Sequence, residues 1–228
     1  MKEPYGQTLR VFLTGGSRGI GRAVGMGFVK LGASVVAPSR KELDLARPQS
    51  VQKWLRRNEN YAPNTLILNA GINHPQSFLH LENANWEKTL QVNLSSNFQL
   101  IRALAPKMIK QGGGRIVCVS SILGERVRPG RCAYSASKAG LEALVRTTAS
   151  ELASGGILVN AVAPGFVCTE MTTKNNSPQE IRKIKKSIPL GRLGEIDEVV
   201  WWILQLASPR NTYLTGQTII VDGGYTLG

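Results

Sequence analysis

Short apolar runs alternate with longer amphipathic stretches along this chain. The runs of strand length lie at residues 9–13, 34–37, 65–69, 115–120, 157–162 and 217–221. Helical spacing of apolar residues predicts helices at about 84–111, 133–154 and 195–207, and a first helix that runs through Lys30 and ends at Gly32. Such alternation is typical of a parallel sheet covered on both faces. We therefore predict an α/β fold, a single Rossmann-type domain with a doubly wound parallel sheet over residues 1–228.

The segment after the second predicted strand interrupts this alternation. Only a few residues separate Arg40 from the apolar residues of Leu43-Asp44-Leu45. A crossover helix between parallel strands normally takes about a dozen residues. We therefore expect a shortened or degenerate third-strand region.

Composition indicates a globular protein without a membrane segment. Hydrophobic residues make up 42% of the chain, yet no run approaches the roughly 20 apolar residues that span a bilayer. The first residues lack the apolar centre of a secretory signal, so we expect a cytoplasmic protein with no membrane partner. Cys118, Cys132 and Cys168 are far apart and only two histidines are present, so we predict reduced cysteines and no metal site.

Charge narrows the range of partners. The 28 Lys and Arg residues against 15 Asp and Glu give a net charge of +13. Such an excess favours a phosphorylated cofactor, an acidic carrier protein, nucleic acid or an anionic membrane. The chain holds neither the interleaved basic and aromatic residues of RNA-binding motifs nor a basic recognition helix. We therefore expect no nucleic-acid partner.

A glycine-rich turn follows the first predicted strand and opens the first helix. Glycines let the backbone approach a pyrophosphate, and a helix N-terminus offers free N–H groups and a positive dipole. Glycines also mark any tight turn between a strand and a helix, but this position favours a dinucleotide site. The predicted cofactor-binding residues of the turn are Gly15, Ser17, Arg18, Gly19, Ile20 and Gly21.

The end of the second strand indicates which nicotinamide cofactor binds. An acidic residue there would bind the ribose 2′-hydroxyl of NAD(H) and repel a 2′-phosphate. The chain instead reads Pro38-Ser39-Arg40-Lys41, without an acid. Arginine binds phosphate through a bidentate fork, so Arg40 and Arg18, with Ser39, favour NADP(H) over NAD(H). The alternative is that Arg40 and Lys41 are solvated loop residues.

Tyr134 and Lys138 are four residues apart within a predicted helix, and this spacing brings the two side chains to one face. A free phenol has a pKa of about 10, and a nearby ammonium favours the phenolate. The pair alone often arises by chance. Ser121, however, stands just past the strand at 115–120, where ligands bind in open α/β sheets.

These residues and several others together resemble the short-chain dehydrogenase/reductase family. The likeness runs from about Arg10 to Tyr225 and rests on the glycine-rich turn, Asn69-Ala70-Gly71, Asn93, Ser121, Tyr134 with Lys138, and Pro164-Gly165. Within the family the chain is most like the 3-oxoacyl-[acyl-carrier-protein] reductases. The stretches at 162–166 and 189–194 carry that closer likeness.

The resemblance implies a catalytic set of Asn93, Ser121, Tyr134 and Lys138. In that scheme Tyr134 gives a proton to the carbonyl oxygen, and Ser121 hydrogen-bonds the same oxygen. Lys138 would hold the nicotinamide ribose and lower the pKa of Tyr134, and Asn93 would position a water that links Lys138 to solvent.

The resemblance also implies further cofactor contacts. Besides Tyr134 and Lys138, the matching positions are Asp44, Leu45, Asn69, Ala70, Gly71, Pro164, Gly165, Val167 and Thr169. Asp44 and Leu45 fall in the shortened segment. Two structural alternatives stay open: Asn69 could cap strand ends only, and Pro164-Gly165 could be a turn only.

The implied reaction is NADPH-dependent reduction of a 3-oxoacyl thioester, carried by acyl carrier protein or coenzyme A, in fatty acid biosynthesis. Basic residues near the expected cleft agree with an acidic carrier protein or its phosphopantetheine. They are Arg126, Arg128 and Arg131 before Tyr134, and Lys174, Arg182, Lys183, Lys185 and Lys186 in the expected substrate lid at about 170–190. Alternatively, the lid is merely solvated.

Two other functions stay open. One is oxidation or reduction of another small alcohol or ketone, such as a sugar, a polyketide or a steroid-like compound. The other is a non-catalytic NADP(H)-sensing binding protein. The resemblance implies a homotetramer or dimer that assembles through the two long helices and the last strand. Trp201 and Trp202 are adjacent on a predicted helix and cannot both face one core.

Overall fold

Six parallel strands form one sheet in the computed structural model, which describes residues 9–228. They are β1 (Arg10–Thr14), β2 (Ser34–Val36), β3 (Thr65–Leu68), β4 (Gly114–Val119), β5 (Ile157–Pro164) and β6 (Thr218–Val221). The order is β2-β1-β3-β4-β5-β6, with every neighbouring pair parallel. The direction of winding reverses between β1 and β3, which makes a binding crevice at their carboxyl ends. The predicted doubly wound sheet is confirmed, and the predicted strand ends differ by one or two residues.

Helices cover both faces of this sheet. They are α1 (Gly19–Lys30), α2 (Pro48–Arg57), α3 (Asn83–Leu90), α4 (Ser96–Lys110), α5 (Cys132–Leu152), α6 (Glu170–Lys174), α7 (Pro178–Ser187) and α8 (Ile196–Ala207). Successive strand residues point to opposite faces. Phe12 therefore joins the core under α2, α4 and α5, while Val11 and Leu13 join the core under α1 and α8. All three side chains are fully buried, as expected for a strand between two helical layers.

The chain takes a short path after β2. Between Val36 and Pro48 it forms neither a strand nor a crossover helix and passes directly into α2. Leu43 and Leu45 anchor this loop, since both are buried in the core under α2. The expectation of a shortened third-strand region is confirmed, and the three-residue β2 is an edge of the sheet.

The long helix predicted at 84–111 is interrupted. Helices α3 and α4 are joined by a π-helical turn at Gln91–Ser95, so the prediction of one regular helix was wrong there. A π turn closes its hydrogen bonds one residue later than an α-helix and is frequent at functional sites. The extra residue of a π turn does not change the composition of a helix, and the spacing of apolar residues did not reveal this turn.

Among the described residues, no helix has the length and apolar character needed to cross a membrane. Within residues 9–228, no group of three or more His, Cys, Asp and Glu side chains is placed to hold a metal ion. Cys118, Cys132 and Cys168 are all free thiols.

Candidate active site

The glycine-rich turn is shaped so that only glycine fits at several positions. Gly15 and Gly19 have φ angles of +70° and +52°, which disfavour larger residues. A Cβ on Gly21 would lie 2.2 Å from the carbonyl oxygen of Gly15, and one on Gly15 would lie 2.9 Å from the Cα of Ala70. The turn therefore lies flat against the end of β3 and opens α1 without side chains in the way. This cradle fits the pyrophosphate of a dinucleotide.

Asn69 braces this turn from the end of β3. Its Nδ2 donates to the carbonyl oxygens of Thr14 and Gly15, each at 3.2 Å. The hydroxyl of Thr14 in turn accepts from the backbone N–H groups of Asn69 and Ala70, each at 3.1 Å. The Asn69 amide thus holds the ends of β1 and β3 together, which is the capping of strand ends described above as one alternative for this residue.

The arginines predicted to bind a 2′-phosphate lie at the carboxyl end of the sheet and are exposed. Arg18 precedes α1, and its Nη1 lies 2.9 Å from the carboxylate of Glu170. The Nε of Arg40 lies 3.6 Å from the carboxylate of Asp44. The same carboxylate is 3.4 Å from Arg47, a residue that the sequence reasoning missed. The sequence could have revealed Arg47, because it lies in the same shortened segment as Arg40 and directly precedes the proline that begins α2.

Asn93 lies in the π-helical turn and is completely buried. Its Oδ1 accepts from the backbone N–H of Ile72 at 2.9 Å, and its Nδ2 donates to the Ile72 carbonyl at 3.0 Å. The Nδ2 also donates to Ser137 Oγ at 3.0 Å, and that hydroxyl donates to the Tyr134 carbonyl at 2.7 Å. Asn93 thereby connects the segment after Gly71 to the first turns of α5. Its role toward a water stays a prediction.

Lys138 is buried, and its Nζ donates to the carbonyl of Val119 at 2.6 Å. Burial lowers the pKa of Lys138 to about 8. The Nζ is 5.6 Å from the centre of the Tyr134 ring. A Cβ on Gly71 would lie 3.6 Å from this Nζ and 3.5 Å from Asn93 Oδ1, so glycine leaves open space beside both groups. That space fits a ribose whose hydroxyls bind Lys138.

Ser121 and Tyr134 face each other at the carboxyl end of β4. Burial raises the pKa of Tyr134 above its ordinary value, and a hydrogen bond with the Ser121 side chain lowers it. The charge of Arg131 also lowers the pKa of Tyr134, whereas the sequence reasoning assigned this effect to Lys138. The hydroxyl of Ser121 also accepts from the backbone N–H of Leu123 at 3.2 Å, which fixes its direction.

A carboxylate behind Ser121 was missed by the sequence reasoning. The hydroxyl of Ser120 donates to Glu142 Oε1 at 2.6 Å, and this bond ties the end of β4 to α5, one turn after Lys138. Burial raises the pKa of Glu142. Sequence spacing could have found it, since Glu142 follows Lys138 by four residues and lies on the same helix face.

The residues predicted to flank the nicotinamide lie at the end of β5. Pro164 closes that strand, and a Cβ on Gly165 would lie 2.7 Å from the Cα of Asp222, so glycine is required for close packing there. Val167 is buried. The hydroxyl of Thr169 accepts from the backbone N–H of Thr172 and caps α6.

The loop before α5 contacts the segment expected to form the lid. Arg128 Nη1 donates to Asn176 Oδ1 at 2.8 Å, and its guanidinium lies 5.6 Å from the centre of the Phe166 ring. Arg131 Nη2 donates to the Asn175 carbonyl at 3.2 Å. Both guanidiniums therefore contact the segment expected to form the lid, and their role toward a carrier-linked substrate stays a prediction. The basic residues of α7 and Lys174 are exposed, as expected of a rim.

Known proteins are similar to this chain over most of its length. A family model described as enoyl-(acyl carrier protein) reductase matches residues 41–226. The 3-oxoacyl-[acyl-carrier-protein] reductase of Thermotoga maritima is 37% identical, over 94% of this chain and 96% of that protein.

Solved structures give the same result at the level of the fold. A gluconate 5-dehydrogenase from Burkholderia cenocepacia, in complex with NADP and tartrate, superposes with a TM-score of 0.91 at 29% identity, covering 96% of each chain. A 4-hydroxyisoleucine dehydrogenase complexed with NADH has a TM-score of 0.92 at 28% identity, covering 97% of this chain and 100% of that one.

These similarities extend over nearly the whole chain and include its catalytic half. They make the protein an NAD(P)-dependent oxidoreductase acting on CH–OH or keto groups rather than a non-catalytic sensor. The chain belongs to the short-chain dehydrogenase/reductase family.

Proposed function

We propose that this enzyme reduces the ketone of a 3-oxoacyl thioester, carried by acyl carrier protein or coenzyme A, with NADPH. The observation that carries the proposal is the convergence of the Ser121 and Tyr134 side chains above the buried Lys138. The 3-oxoacyl-[acyl-carrier-protein] reductase of Thermotoga maritima supports the substrate class, and such an activity belongs to fatty acid biosynthesis.

The chain's own residues supply binding and the proton. The hydroxyls of Ser121 and Tyr134 both hydrogen-bond the carbonyl oxygen of the substrate, and negative charge that develops there is stabilised. Tyr134 then transfers its phenolic proton to that oxygen. Lys138 holds the ribose hydroxyls, and Asn93 keeps the first turns of α5 in register with the segment after Gly71. NADPH, when bound in the glycine-rich cradle, supplies the hydride.

Surface charge supports NADP(H) as the preferred cofactor. Arg18 and Arg40 are exposed and available to bind a 2′-phosphate, and Arg47 is close enough to share Asp44 with Arg40. No acidic residue stands at positions 37–41, where NAD-dependent relatives would bind the ribose 2′-hydroxyl. Phosphate would replace the carboxylates that now pair with these guanidiniums.

The exposed side of α7 supports a carrier-linked substrate. Its basic residues Arg182, Lys183, Lys185 and Lys186 are all exposed, against a single acid in the helix, Glu180. An acidic carrier protein would be attracted to such a surface. We propose that residues 170–190 cover the bound substrate.

A second candidate function is oxidation or reduction of a small hydroxy or keto acid. The similar structures favour it, since they include a gluconate 5-dehydrogenase and a 4-hydroxyisoleucine dehydrogenase. Both proteins superpose on almost all of this chain at under 30% identity.

Steady-state kinetics separate the two candidates. Acetoacetyl-CoA and acetoacetyl-acyl carrier protein should be reduced with NADPH more efficiently than with NADH. Gluconate and 4-hydroxyisoleucine, tested with NADP⁺ and NAD⁺, should be poor substrates. Turnover of a hydroxy acid without turnover of either thioester would instead establish the second candidate.

We also propose a homo-oligomer, a tetramer or a dimer, in the cytoplasm. Three free thiols are stable in that reducing compartment. Trp201 and Trp202 on α8 are 53% and 36% exposed and contact each other edge to face, so neither fills the core. Light scattering tests the assembly. If α8 is an interface, Trp201→Glu should lower the measured mass below that of the wild type. A wild-type mass equal to that of one chain would refute the proposed oligomer.

A further inference from the structure

Arg131 occupies an unusual place for a charged side chain. It directly precedes α5, three residues before Tyr134, and only 7% of it is exposed. Residues three apart at a helix start are neighbours on one side of the helix. Consistent with this, the charge of Arg131 lowers the pKa of Tyr134. The buried arginine therefore stands next to the first turn of the helix that carries Tyr134.

The partners of this guanidinium are backbone carbonyls rather than carboxylates. Arg131 Nη2 donates to Asn175 at 3.2 Å, and Nη1 makes a long contact of 3.4 Å with Gly130. Among residues 9–228, no Asp or Glu forms a salt bridge with it. A guanidinium carries more N–H donors than these two carbonyls accept. Buried charges are usually paired, so this one is poorly compensated.

The surrounding charges leave an excess of positive charge between the loop and the lid. Arg128 lies beside Arg131 and is only partly exposed, and its Nη2 is 3.6 Å from Glu180 Oε1. Burial, followed by the charge of Arg128, lowers the pKa of Arg131, and the charge of Glu180 opposes this. The half-exposed carboxylate of Glu180 thus pairs with Arg128, and its charge acts on Arg131 without a salt bridge.

Building on the proposed reductase function, we propose that the same site also reduces short free keto acids, and that Arg131 binds the carboxylate of these acids. A ketone held by Ser121 and Tyr134 would direct a nearby carboxylate toward the start of α5. Arginine matches a carboxylate with two parallel hydrogen bonds, and the interaction is strong where water is excluded. A neutral ester of the same acid would leave the guanidinium unpaired.

The test compares acetoacetate with methyl acetoacetate, both with NADPH. Wild-type enzyme should prefer the acid by kcat/KM. Arg131→Gln should lower kcat/KM for the acid by about 10- to 100-fold more than for the ester, as expected for one lost charge-assisted contact. Any loss common to both substrates reports the altered Tyr134 pKa and the lost contact with the lid. Arg131→Lys, which keeps the charge without the fork, should restore part of the preference.

Arg128→Gln is the matched control. It removes a guanidinium from the same loop and also breaks contacts with the lid, at Asn176 and Glu180. It should change kcat/KM for the acid and the ester by similar factors. An equal loss for both substrates in Arg131→Gln, or a wild-type preference for the ester, would overturn the proposal.

Failure of this inference can be told apart from failure of the proposed function. Reduction of acetoacetyl-CoA without any reduction of acetoacetate would overturn the inference and leave the proposed function intact. If no ketone is reduced, the proposed function fails, and calorimetric titration of the NADP⁺-bound protein with malonate decides. A heat of malonate binding that the wild type shows and Arg131→Gln lacks would support the carboxylate site. The absence of a binding heat in the wild type would refute it.

Discussion

The catalytic residues and the phosphate-binding arginines are held in contrasting ways. Asn93, Ser121 and Lys138 are at most 9% exposed, and each has hydrogen-bond partners inside the fold. The side chains of Arg18 and Arg40 are 74% and 76% exposed, and they pair with the exposed carboxylate of Glu170 and the partly buried carboxylate of Asp44. One region is fixed by the core, and the other is held by contacts that water and ions can replace.

This difference follows from what each region does. A proton transfer needs its groups in fixed positions before the substrate arrives, and buried hydrogen bonds supply that rigidity. A phosphate is itself charged, so the arginines that bind it need not be fixed in advance. An exposed ion pair stabilises a protein by only about 0–1 kcal/mol, so these arginines can exchange a carboxylate for the phosphate on binding. Substitutions in the buried region should therefore change rate or stability, and those in the exposed region should change cofactor affinity.

The largest effect is expected from Tyr134→Phe. Loss of the phenolic proton should lower kcat about 100- to 10,000-fold, the usual range for a general acid. The dissociation constant of NADPH, measured by nicotinamide fluorescence, should stay near the wild-type value. Equal losses in cofactor binding and turnover would show that the residue is structural.

Lys138→Met tests the cost of a buried charge. Burial lowers the pKa of Lys138 to about 8, against an ordinary value of 10.5. At pH 7 both folded and unfolded states are protonated, so the folded protein bears the full penalty. The variant should therefore lose activity and gain about 1–2 kcal/mol in free energy of unfolding at pH 7.

The pH dependence gives the sign of that effect. Between about pH 8 and 10.5 the unfolded wild type binds more protons than the folded one, so wild-type stability rises with pH across this window. Urea titrations should show the advantage of Lys138→Met shrinking from pH 8 upward. A variant less stable than wild type at pH 7 would mean that the bond to the Val119 carbonyl outweighs desolvation.

Arg40→Asp should act on cofactor choice. It places a carboxylate beside Asp44 and removes a phosphate ligand, so NADPH affinity should fall about 10- to 100-fold while NADH affinity falls less. Lys41→Asp makes the same charge change one position later and should have a smaller effect. Equal losses for both cofactors would argue against 2′-phosphate recognition by Arg40.

The smallest effect is expected from Glu170→Gln. It releases Arg18 from its ion pair, and NADPH should then bind about two- to fivefold more tightly at low salt. The gain should vanish at high ionic strength, where exposed charges are screened. Glu87→Gln, an exposed acid on α3, controls for the change in net charge. Weaker NADPH binding in Glu170→Gln would show that the ion pair orders the site.

The buried region was largely predictable from the chain because its main spacings are local. Tyr134 and Lys138 share one helix, and Ser121 ends a strand whose apolar run is plain in the sequence. The shortened third-strand region was also predictable, since the distance from Arg40 to Leu45 leaves no room for a helix.

Contacts between distant segments were not predictable in this way. Arg128 contacts Asn176 across 48 residues, and Arg131 contacts Asn175 across 44, and local spacing in the sequence reveals neither partner. The partners of Asn93 depend on the π-helical turn, which shifts the chain by one residue without any change in composition.

The sheet ends at β2, with Ala37 and Ser39 exposed beyond it. In the part of the chain that the structure describes, no further strand lies beyond β2, so we expect the adenine ring of a bound cofactor to contact solvent on the β2 side of the sheet. The enzyme should then accept nicotinamide cofactors that carry bulky substituents on adenine, such as those tethered to a resin through that ring.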